Sequence, residues 1–382
     1  MKFFIGTLAL LAAVVPIFGA PAELITVEKA AGRTSGKFIV TLKNDVDKSF
    51  VLSQVSADAI DQWDVINGFS AKLDEATLNV LRAHEAVESI SEDGVMHTMT
   101  IITQTGAPWG LRRISDPRPI SPLEGDAFSL NFTYRYDSSA GSGVDIYIVD
   151  FGGRARWGAT FGGYPSADGN GHGTHCSGTA AGTRFGVAKK ANLIAVKVLD
   201  DSGSGFISDI ISGLDYVIQQ AAASGRPSVV SMSLGGSANT ALDNAVLALT
   251  SAGIHVTVAA GNSGTDAGGT SPARAPSAVT VGATDINDNC ASFSNFGSVV
   301  DIFAPGVNIC SDWLGTTGIN FLSGTSMATP HIAGLVAYFI ALDGNISPAA
   351  MTTKIQTLAV KGILHNCPSG TINALAQNGV GA

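Results

Sequence analysis

Short apolar runs and longer helical segments alternate along the chain from residue 144 onward. The β-branched runs predict strands at 144–149, 192–199, 228–234, 255–259, 279–282 and 299–304. Segments typical of helices lie between or after them, at 207–223, 240–252, 326–342 and 348–358. Strands that alternate with helices favour a parallel sheet covered on both faces, with ligands bound at the carboxyl ends of the strands. We therefore expect an α/β fold built on a doubly wound parallel sheet.

The first 22 residues have the features of a secretory signal peptide. Lys2 supplies a basic start, an apolar run continues to Phe18, and Ala20 and Ala22 are small residues suited to a cleavage site. The run is too short to span a membrane, and we expect no membrane-spanning segment after it. The sequence therefore predicts a secreted, extracellular protein, and the glycosylation sequons at Asn131 and Asn345 agree with that.

Residues 23–101 predict a separate, small α+β domain. We expect a strand at 36–42, a turn followed by a strand at 64–73, and a helix at 75–84 with Asp74 as its N-cap. This leaves the alternating strands and helices to a second, larger domain.

Charge and cysteine content limit the partners and cofactors of the chain. The formal net charge is −9, which gives a nucleic acid no basic surface to bind. In an oxidising compartment four cysteines permit two disulfides in three connectivities, and the sequence does not choose among them. No Cys/His spacing indicates zinc. The four cysteines are Cys176, Cys290, Cys310 and Cys367. Cys176 lies within a histidine-containing motif and is also a candidate for a reduced thiol.

Three short motifs carry side chains suited to nucleophilic catalysis. The string SGTSMATPH at 323–331 places Ser326 at the start of an apolar helix, where N–H groups and the helix dipole favour negative charge. The string DGNGHGTHC at 168–176 leaves His172 accessible between glycines. The string AAGNSG at 259–264 places Asn262 after a strand, where its amide can donate to an oxyanion. Taken singly, these residues are also typical of a helix cap, a structural histidine and a turn.

Together the strings are identified as motifs of the subtilisin-like serine peptidases of the proteinase K type, and the resemblance covers residues 30–382. It implies a subtilisin-like fold in which Ser326 is the nucleophile and His172 the general base. Asn262 then donates to the oxyanion beside the Ser326 backbone N–H, and His175 is a packed helical residue. The string TGAPWGL at 105–111 resembles the start of the mature domain in this family.

The same resemblance assigns the domain at the N-terminus. GFSA at 68–71 and VESISED at 87–93 are similar to the inhibitor-type propeptide that precedes such peptidase domains. The implied organisation is a signal peptide at 1–22, a propeptide at 23–101 and a peptidase domain at 102–382. The propeptide would inhibit its own peptidase domain until it is released near residues 100–102, and the resemblance implies a monomer.

Two further expectations follow from the resemblance. The segments 202–205 and 233–236 match the strands that flank a bound peptide, although the first alone reads equally as a glycine-rich turn. With 259–261 they imply a roomy, uncharged pocket for protein substrates with an apolar or aromatic residue before the scissile bond. A structural Ca²⁺ site is implied at the Pro276 and Ala278 carbonyls and the Asp301 carboxylate. The expected substrate-binding residues are Gly203, Ser204, Gly205, Ser233, Leu234, Gly235, Ala260 and Gly261.

The chain departs from the family pattern at Asp150. In the family the catalytic aspartate is followed by Thr-Gly and a longer loop, whereas here Phe151 follows at once and His172 comes 22 positions after Asp150. Asp150 is either that aspartate with a deletion behind it, or the residue that precedes the Phe-Gly-Gly stretch in relatives. In both cases it takes the catalytic position. We interpret the shortening as a gene-prediction error; a tolerated deletion and a catalytically impaired or inactive homologue are the alternatives.

Overall fold

The computed structural model describes residues 24–29, 34–53, 61–63, 66–94, 100–149, 156–315 and 318–380. The expected signal peptide and Asp150 lie outside the described residues. The described residues form two compact units, one up to residue 94 and one from residue 100 on. The exact position at which a propeptide would be cleaved stays a prediction.

The smaller unit is a sheet with two helices, as the sequence predicts for an α+β domain. Its elements are β1 (Val27–Glu28), β2 (Thr34–Leu42), α1 (Lys48–Leu52), β3 (Asp61–Trp63), β4 (Gly68–Ala71), α2 (Glu75–Arg82) and β5 (Val87–Gly94). The strands pair in the order β1-β5-β2-β4-β3. Asp74 caps α2, because its carboxylate accepts a hydrogen bond from the Thr77 N–H at 2.7 Å. Val40, Phe69 and Ile90 are fully buried in the core between sheet and helices.

The larger unit contains the alternating elements. Its first half consists of β6 (Ile101–Ala107), α3 (Trp109–Ser115), β7 (Phe132–Asp137), β8 (Asp145–Val149), β9 (Arg156–Thr160), α4 (His172–Ala181), β10 (Asn192–Lys197), α5 (Ile207–Ser224), β11 (Ser228–Met232), β12 (Gly236–Ser237), α6 (Thr240–Ser251) and β13 (His255–Ala259). Its second half consists of β14 (Thr270–Ser271), β15 (Val279–Thr284), β16 (Ile302–Pro305), β17 (Ile309–Asp312), β18 (Ile319–Leu322), α7 (Thr325–Asp343), α8 (Pro348–Leu358), β19 (Val360–Lys361) and β20 (Ala374–Leu375).

A nine-stranded sheet organises this unit, in the order β19-β20-β16-β15-β13-β11-β8-β10-β9. Its pairs from β9 across to β20 are parallel, and β19 joins antiparallel. The chain runs from β8 to β9 at the edge of the sheet, returns to β10 between them, and then crosses to β11 on the other side of β8 and to the strands beyond it. This confirms the doubly wound parallel sheet, and it gathers the loops after β9, β11 and β13 at one carboxyl edge.

Helices cover both faces of the sheet because side chains along each strand alternate in direction. Ile146 and Ile148 of β8 pack in the core cluster that contains α4 and α7. Tyr147 and Val149, the residues between and after them, pack in the cluster that contains α5 and α6. Burial on both faces explains why the strands read as continuous apolar runs and not as alternating ones.

The central helix α7 corrects one sequence-based expectation. By length and apolar composition it could cross a membrane, although no such segment was expected after residue 22. Its most apolar window is 83% buried inside the protein, so its composition is explained by packing in the core. Pro330 is the sixth residue of this helix and cannot donate to the carbonyl of Ser326, four residues before it; that carbonyl accepts instead from the Ser233 hydroxyl at 2.9 Å.

One disulfide joins Cys290 to Cys367, with their Cα atoms 5.1 Å apart. The sequence permitted a second one, but Cys176 lies in α4 and Cys310 in β17, both as buried thiols. Cys176 is therefore outside any disulfide, as its place in the histidine motif suggested.

Candidate active site

His172 begins α4 at the carboxyl edge of the sheet. The preceding residue, Gly171, has a φ of 95°, a left-handed conformation that favours glycine. A side chain there would also collide with the ring of Trp313, whose nearest atom lies 2.6 Å from the Cβ position. The glycine on this side of His172 is therefore required by the backbone and by the indole packed against it.

The Asp168 carboxylate fixes the loop that carries His172. It accepts hydrogen bonds from the N–H groups of Asn170 at 3.0 Å and Gly171 at 2.8 Å. It also accepts from the N–H of Thr174, at 3.1 Å, and from the hydroxyl of the same residue. The Asn170 side chain accepts from the His172 N–H at 3.2 Å. These bonds satisfy N–H groups at the helix start that have no partner within the helix.

Ser326 lies in the first turn of α7. Its hydroxyl donates to the Ser233 carbonyl at 3.2 Å, and the Ser233 hydroxyl donates to the Ser326 carbonyl at 2.9 Å. Ser233 follows β11, so this pair attaches the start of α7 to the carboxyl edge of the sheet. The position is the one that the sequence predicts for a nucleophile, near N–H groups at a helix N-terminus.

The amide oxygen of Asn262 is held by Thr325. That oxygen accepts hydrogen bonds from the Thr325 N–H at 2.8 Å and from the Thr325 hydroxyl at 2.9 Å. The same hydroxyl accepts from the Gly261 N–H at 3.1 Å. Two donors on the oxygen fix the orientation of the amide, which leaves the nitrogen as the group able to donate to a ligand.

The Asn295 side chain holds the backbone of residues 260–265, which include Asn262, and the sequence gave no signal for this role. Its side chain is buried, with its oxygen accepting from the Ser263 and Thr265 N–H groups at 3.0 and 3.1 Å. Its nitrogen donates to the Ala260 carbonyl at 2.9 Å. This residue, like Asp168 and Thr325, holds a site residue without having been assigned a role from sequence.

A cleft of about 870 Å³ brings the predicted residues together. Among the described residues that line it, none is Asp, Glu, Lys or Arg, so the described part of its wall is uncharged. His172, Ser326 and Asn262 share the cleft with the predicted substrate-binding residues Gly203, Ser204, Gly205, Ser233, Leu234, Gly235 and Gly261. Lining residues that the sequence reasoning missed include Asn170, Leu199, Ile207, Leu242 and Thr270.

Ala260 corrects the predicted set. Its side chain is buried in a cluster that contains Phe303, and its N–H donates to the Val281 carbonyl at 3.0 Å. Ala259 lines the cleft instead. Neighbouring residues of extended backbone point to opposite sides, so only one of the two alanines can face the cleft.

His175 and His331 are structural histidines near the site. Both are buried, and burial lowers the pKa of each to about 4. The His175 ring bonds the Ile309 carbonyl at 2.8 Å, and the His331 ring bonds the Met327 carbonyl at 2.9 Å. The packed role predicted for His175 is confirmed by its full burial.

The Asp301 carboxylate lies next to the turn that contains Pro276 and Ala278. It accepts from the Thr280 N–H at 2.8 Å, and burial raises its pKa to about 6. The described residues hold no group of three or more His, Cys, Asp or Glu that could bind a metal. A cation here would therefore depend on carbonyl oxygens together with this single carboxylate.

Comparison with known proteins identifies both units. Residues 149–379 match the subtilase family, and residues 41–99 match the family described as peptidase inhibitor I9. The "Cuticle-degrading protease" of Metarhizium anisopliae is 46% identical, over 94% of this chain and 93% of that protein. The "Alkaline serine protease ver112" of Corniculantispora psalliotae is 44% identical, over 97% and 99%. A crystal structure of a cold adapted subtilisin-like serine proteinase covers 72% of this chain and 99% of its own, at 42% identity and a TM-score of 0.65.

Proposed function

This chain belongs to the subtilase family of serine peptidases and carries an inhibitor-type propeptide domain, and from that premise we propose that it is a secreted endopeptidase precursor. The observation that carries the proposal is that His172, Ser326 and Asn262 lie in one cleft whose described lining is uncharged. A nucleophile, a base and an oxyanion donor are the groups that acyl transfer requires.

In the proposed reaction the Ser326 hydroxyl attacks the peptide carbonyl while His172 takes its proton. The carbonyl oxygen becomes negative and accepts hydrogen bonds from the Asn262 amide nitrogen and the Ser326 backbone N–H. His172 then gives the proton to the leaving amine, and water hydrolyses the acyl-enzyme by the same steps in reverse. Asp150, outside the described residues, would orient His172 from the end of β8.

The shape of the cleft supports a broad specificity. The segment 233–235 lines it and could present backbone groups with which a substrate strand pairs. Residues 203–205 also line it, but Gly203 has a φ of 83° and the Ser204 carbonyl accepts from the Asp200 N–H at 2.8 Å, so this segment begins as a glycine-containing turn. The uncharged lining favours an apolar or aromatic residue before the scissile bond, because a charged one would be desolvated without a partner. The substrates are accordingly proteins or peptides.

A structural Ca²⁺ at Asp301, Pro276 and Ala278 is part of the proposal. Oxygen-only ligands suit this ion. The Asp301 carboxylate is largely buried, and no neighbouring cation lowers its pKa. A divalent cation would compensate that buried charge, and the bound ion would tie the turn before β15 to the start of β16.

The experiment that tests the function compares the full-length precursor with its Ser326→Ala and Ser323→Ala variants. Ser323 is an exposed serine of the same motif, and its hydroxyl bonds Asn308 outside the cleft, so its variant is a matched control. We expect propeptide release, casein hydrolysis and labelling by a fluorophosphonate probe in the parent and in Ser323→Ala. All three should be lost in Ser326→Ala.

The rival function is a catalytically silent homologue that keeps the fold and the cleft, and the shortened segment after Asp150 favours it. A parent that folds but is neither processed nor labelled would establish this rival. A Ser326→Ala precursor that still matures in pure form would also refute the proposed mechanism.

A further inference from the structure

The exposed loop between α7 and α8 contains a sequon, Asn345-Ile346-Ser347, that the catalytic site does not use. Asn345 is exposed at the end of α7. Its amide oxygen accepts a hydrogen bond from the ring Nε2 of His255 at 2.8 Å, and that ring is buried at the start of β13. One end of the Asn345 side chain is therefore anchored in the protein.

The other end of the same amide is available. Among the described residues, the Asn345 Nδ2 donates to no protein acceptor. The second sequon differs, because the Asn131 Nδ2 donates to the Glu124 carbonyl at 3.2 Å. Asn131 also borders the β6–β7 pairing, where Phe132 pairs with Ala107. A sugar on Asn345 would leave its described hydrogen bond in place, since that bond uses the oxygen.

We propose that Asn345 is an N-glycosylation site of the secreted protein. The Asn345 Nδ2 would form a bond to the anomeric carbon of a lipid-pyrophosphate-linked oligosaccharide. The bond between that carbon and the phosphate oxygen breaks, the lipid pyrophosphate leaves, and the amide proton passes to a base of the transferase. Asn345 remains a secondary amide that can still accept from His255 through its oxygen.

The position keeps a glycan away from the cleft. Ser326 lies in the first turn of α7 and Asn345 follows its last turn, which separates them by about 25 Å along the helix axis. His255 likewise begins β13, whose other end leads to Asn262. The oligosaccharide would therefore lie at the edge of the sheet opposite the substrate.

The inference rests on the secretory part of the proposed function, so the test separates the two. The full chain with Ser326→Ala, which prevents autolysis, is secreted from a eukaryotic host behind its own leader and behind an established one. Peptide N-glycosidase converts a glycosylated asparagine to aspartate, and peptide mass spectrometry then locates it. A protein that is secreted behind the established leader but not behind its own would count against the proposed localisation and not against this site.

The variants Asn345→Gln, Asn131→Gln and Ser347→Thr complete the test. We expect Asn345 to be converted in the parent, in Asn131→Gln and in Ser347→Thr, which keeps both the sequon and a hydroxyl to cap α8. Asn345→Gln should lose one glycan by intact mass. A protein secreted behind the established leader with Asn345 unmodified would overturn the proposal, as would an unchanged mass in Asn345→Gln.

Discussion

The Asp168 carboxylate accepts hydrogen bonds from both the backbone N–H and the hydroxyl of Thr174, and so encloses His172 in a closed loop. His172 lies between these two residues in the chain. The described contacts that hold its backbone therefore lie within residues 168–174. This relationship gives the loop that carries His172 a support of its own.

Replacement of Asp168 by alanine should lower kcat by about 100-fold, since small displacements of a catalytic group have effects of that order. KM should change little, because Asp168 does not line the cleft. Thr174→Ser keeps the hydroxyl and should retain activity, whereas Thr174→Val should be intermediate. Steady-state kinetics on a peptide substrate measure both constants. An Asp168→Ala enzyme with raised KM and normal kcat would contradict this role.

The pairing of Asn262 with Thr325 leads to a second prediction. Asn262→Ala should lower kcat by about 10²–10³-fold with little change in KM, a magnitude taken from subtilisin, a member of the same family. Thr325→Val removes the hydroxyl that donates to Asn262 and should give part of that loss, while Thr325→Ser should not. Equal activity in Thr325→Val and the parent would show that the backbone N–H alone orients the amide.

The sequence predicted the elements of the larger unit well where local signals were strong. The strand β13 and the helix α8 have the predicted bounds. A continuous apolar run marks the first, and Ser347 with Pro348 marks the start of the second, where the Ser347 hydroxyl accepts from the Ala350 N–H. Motif resemblance likewise located His172, Ser326 and Asn262, which the fold brings to one cleft.

What the sequence could not predict depends on contacts between distant positions. Thr325 and Asn262 are 63 positions apart, and Asn295 reaches back 35 positions to the Ala260 carbonyl. No periodicity or spacing reports such bonds, because they form only when the sheet is assembled. For the same reason the sequence left three connectivities of the four cysteines open and did not select the pair Cys290 and Cys367.

The buried histidines predict a loss of stability in mild acid. The pKa of His175 and of His331 is about 4 in the folded protein, against about 6.5 in an unfolded chain. The unfolded state therefore binds more protons between these values, and the free energy of unfolding falls as the pH decreases from about 6.5 to 4. Each residue would contribute about 3 kcal/mol at neutral pH that is lost in this window.

Urea unfolding of the Ser326→Ala protein at a series of pH values measures this loss. The same series on a His175→Gln variant isolates one histidine from the carboxylates that titrate nearby, and its stability should depend less steeply on pH. An identical pH dependence in the two proteins would contradict the assignment to His175.

Removal of calcium tests the Asp301 site separately from catalysis. If Ca²⁺ binds the Asp301 carboxylate, excess chelator should lower the Tm of the Ser326→Ala protein, because an ion that binds only the folded state stabilises it by mass action. Asp301→Asn keeps the shape of the side chain and removes its charge, so its Tm should respond little to calcium or chelator. Asp285→Asn is a matched control, since that carboxylate accepts from Asn289 in another loop and its variant should respond to calcium as the parent does. A parent whose Tm is the same with calcium and with chelator would show that the buried Asp301 carboxyl group does not bind calcium.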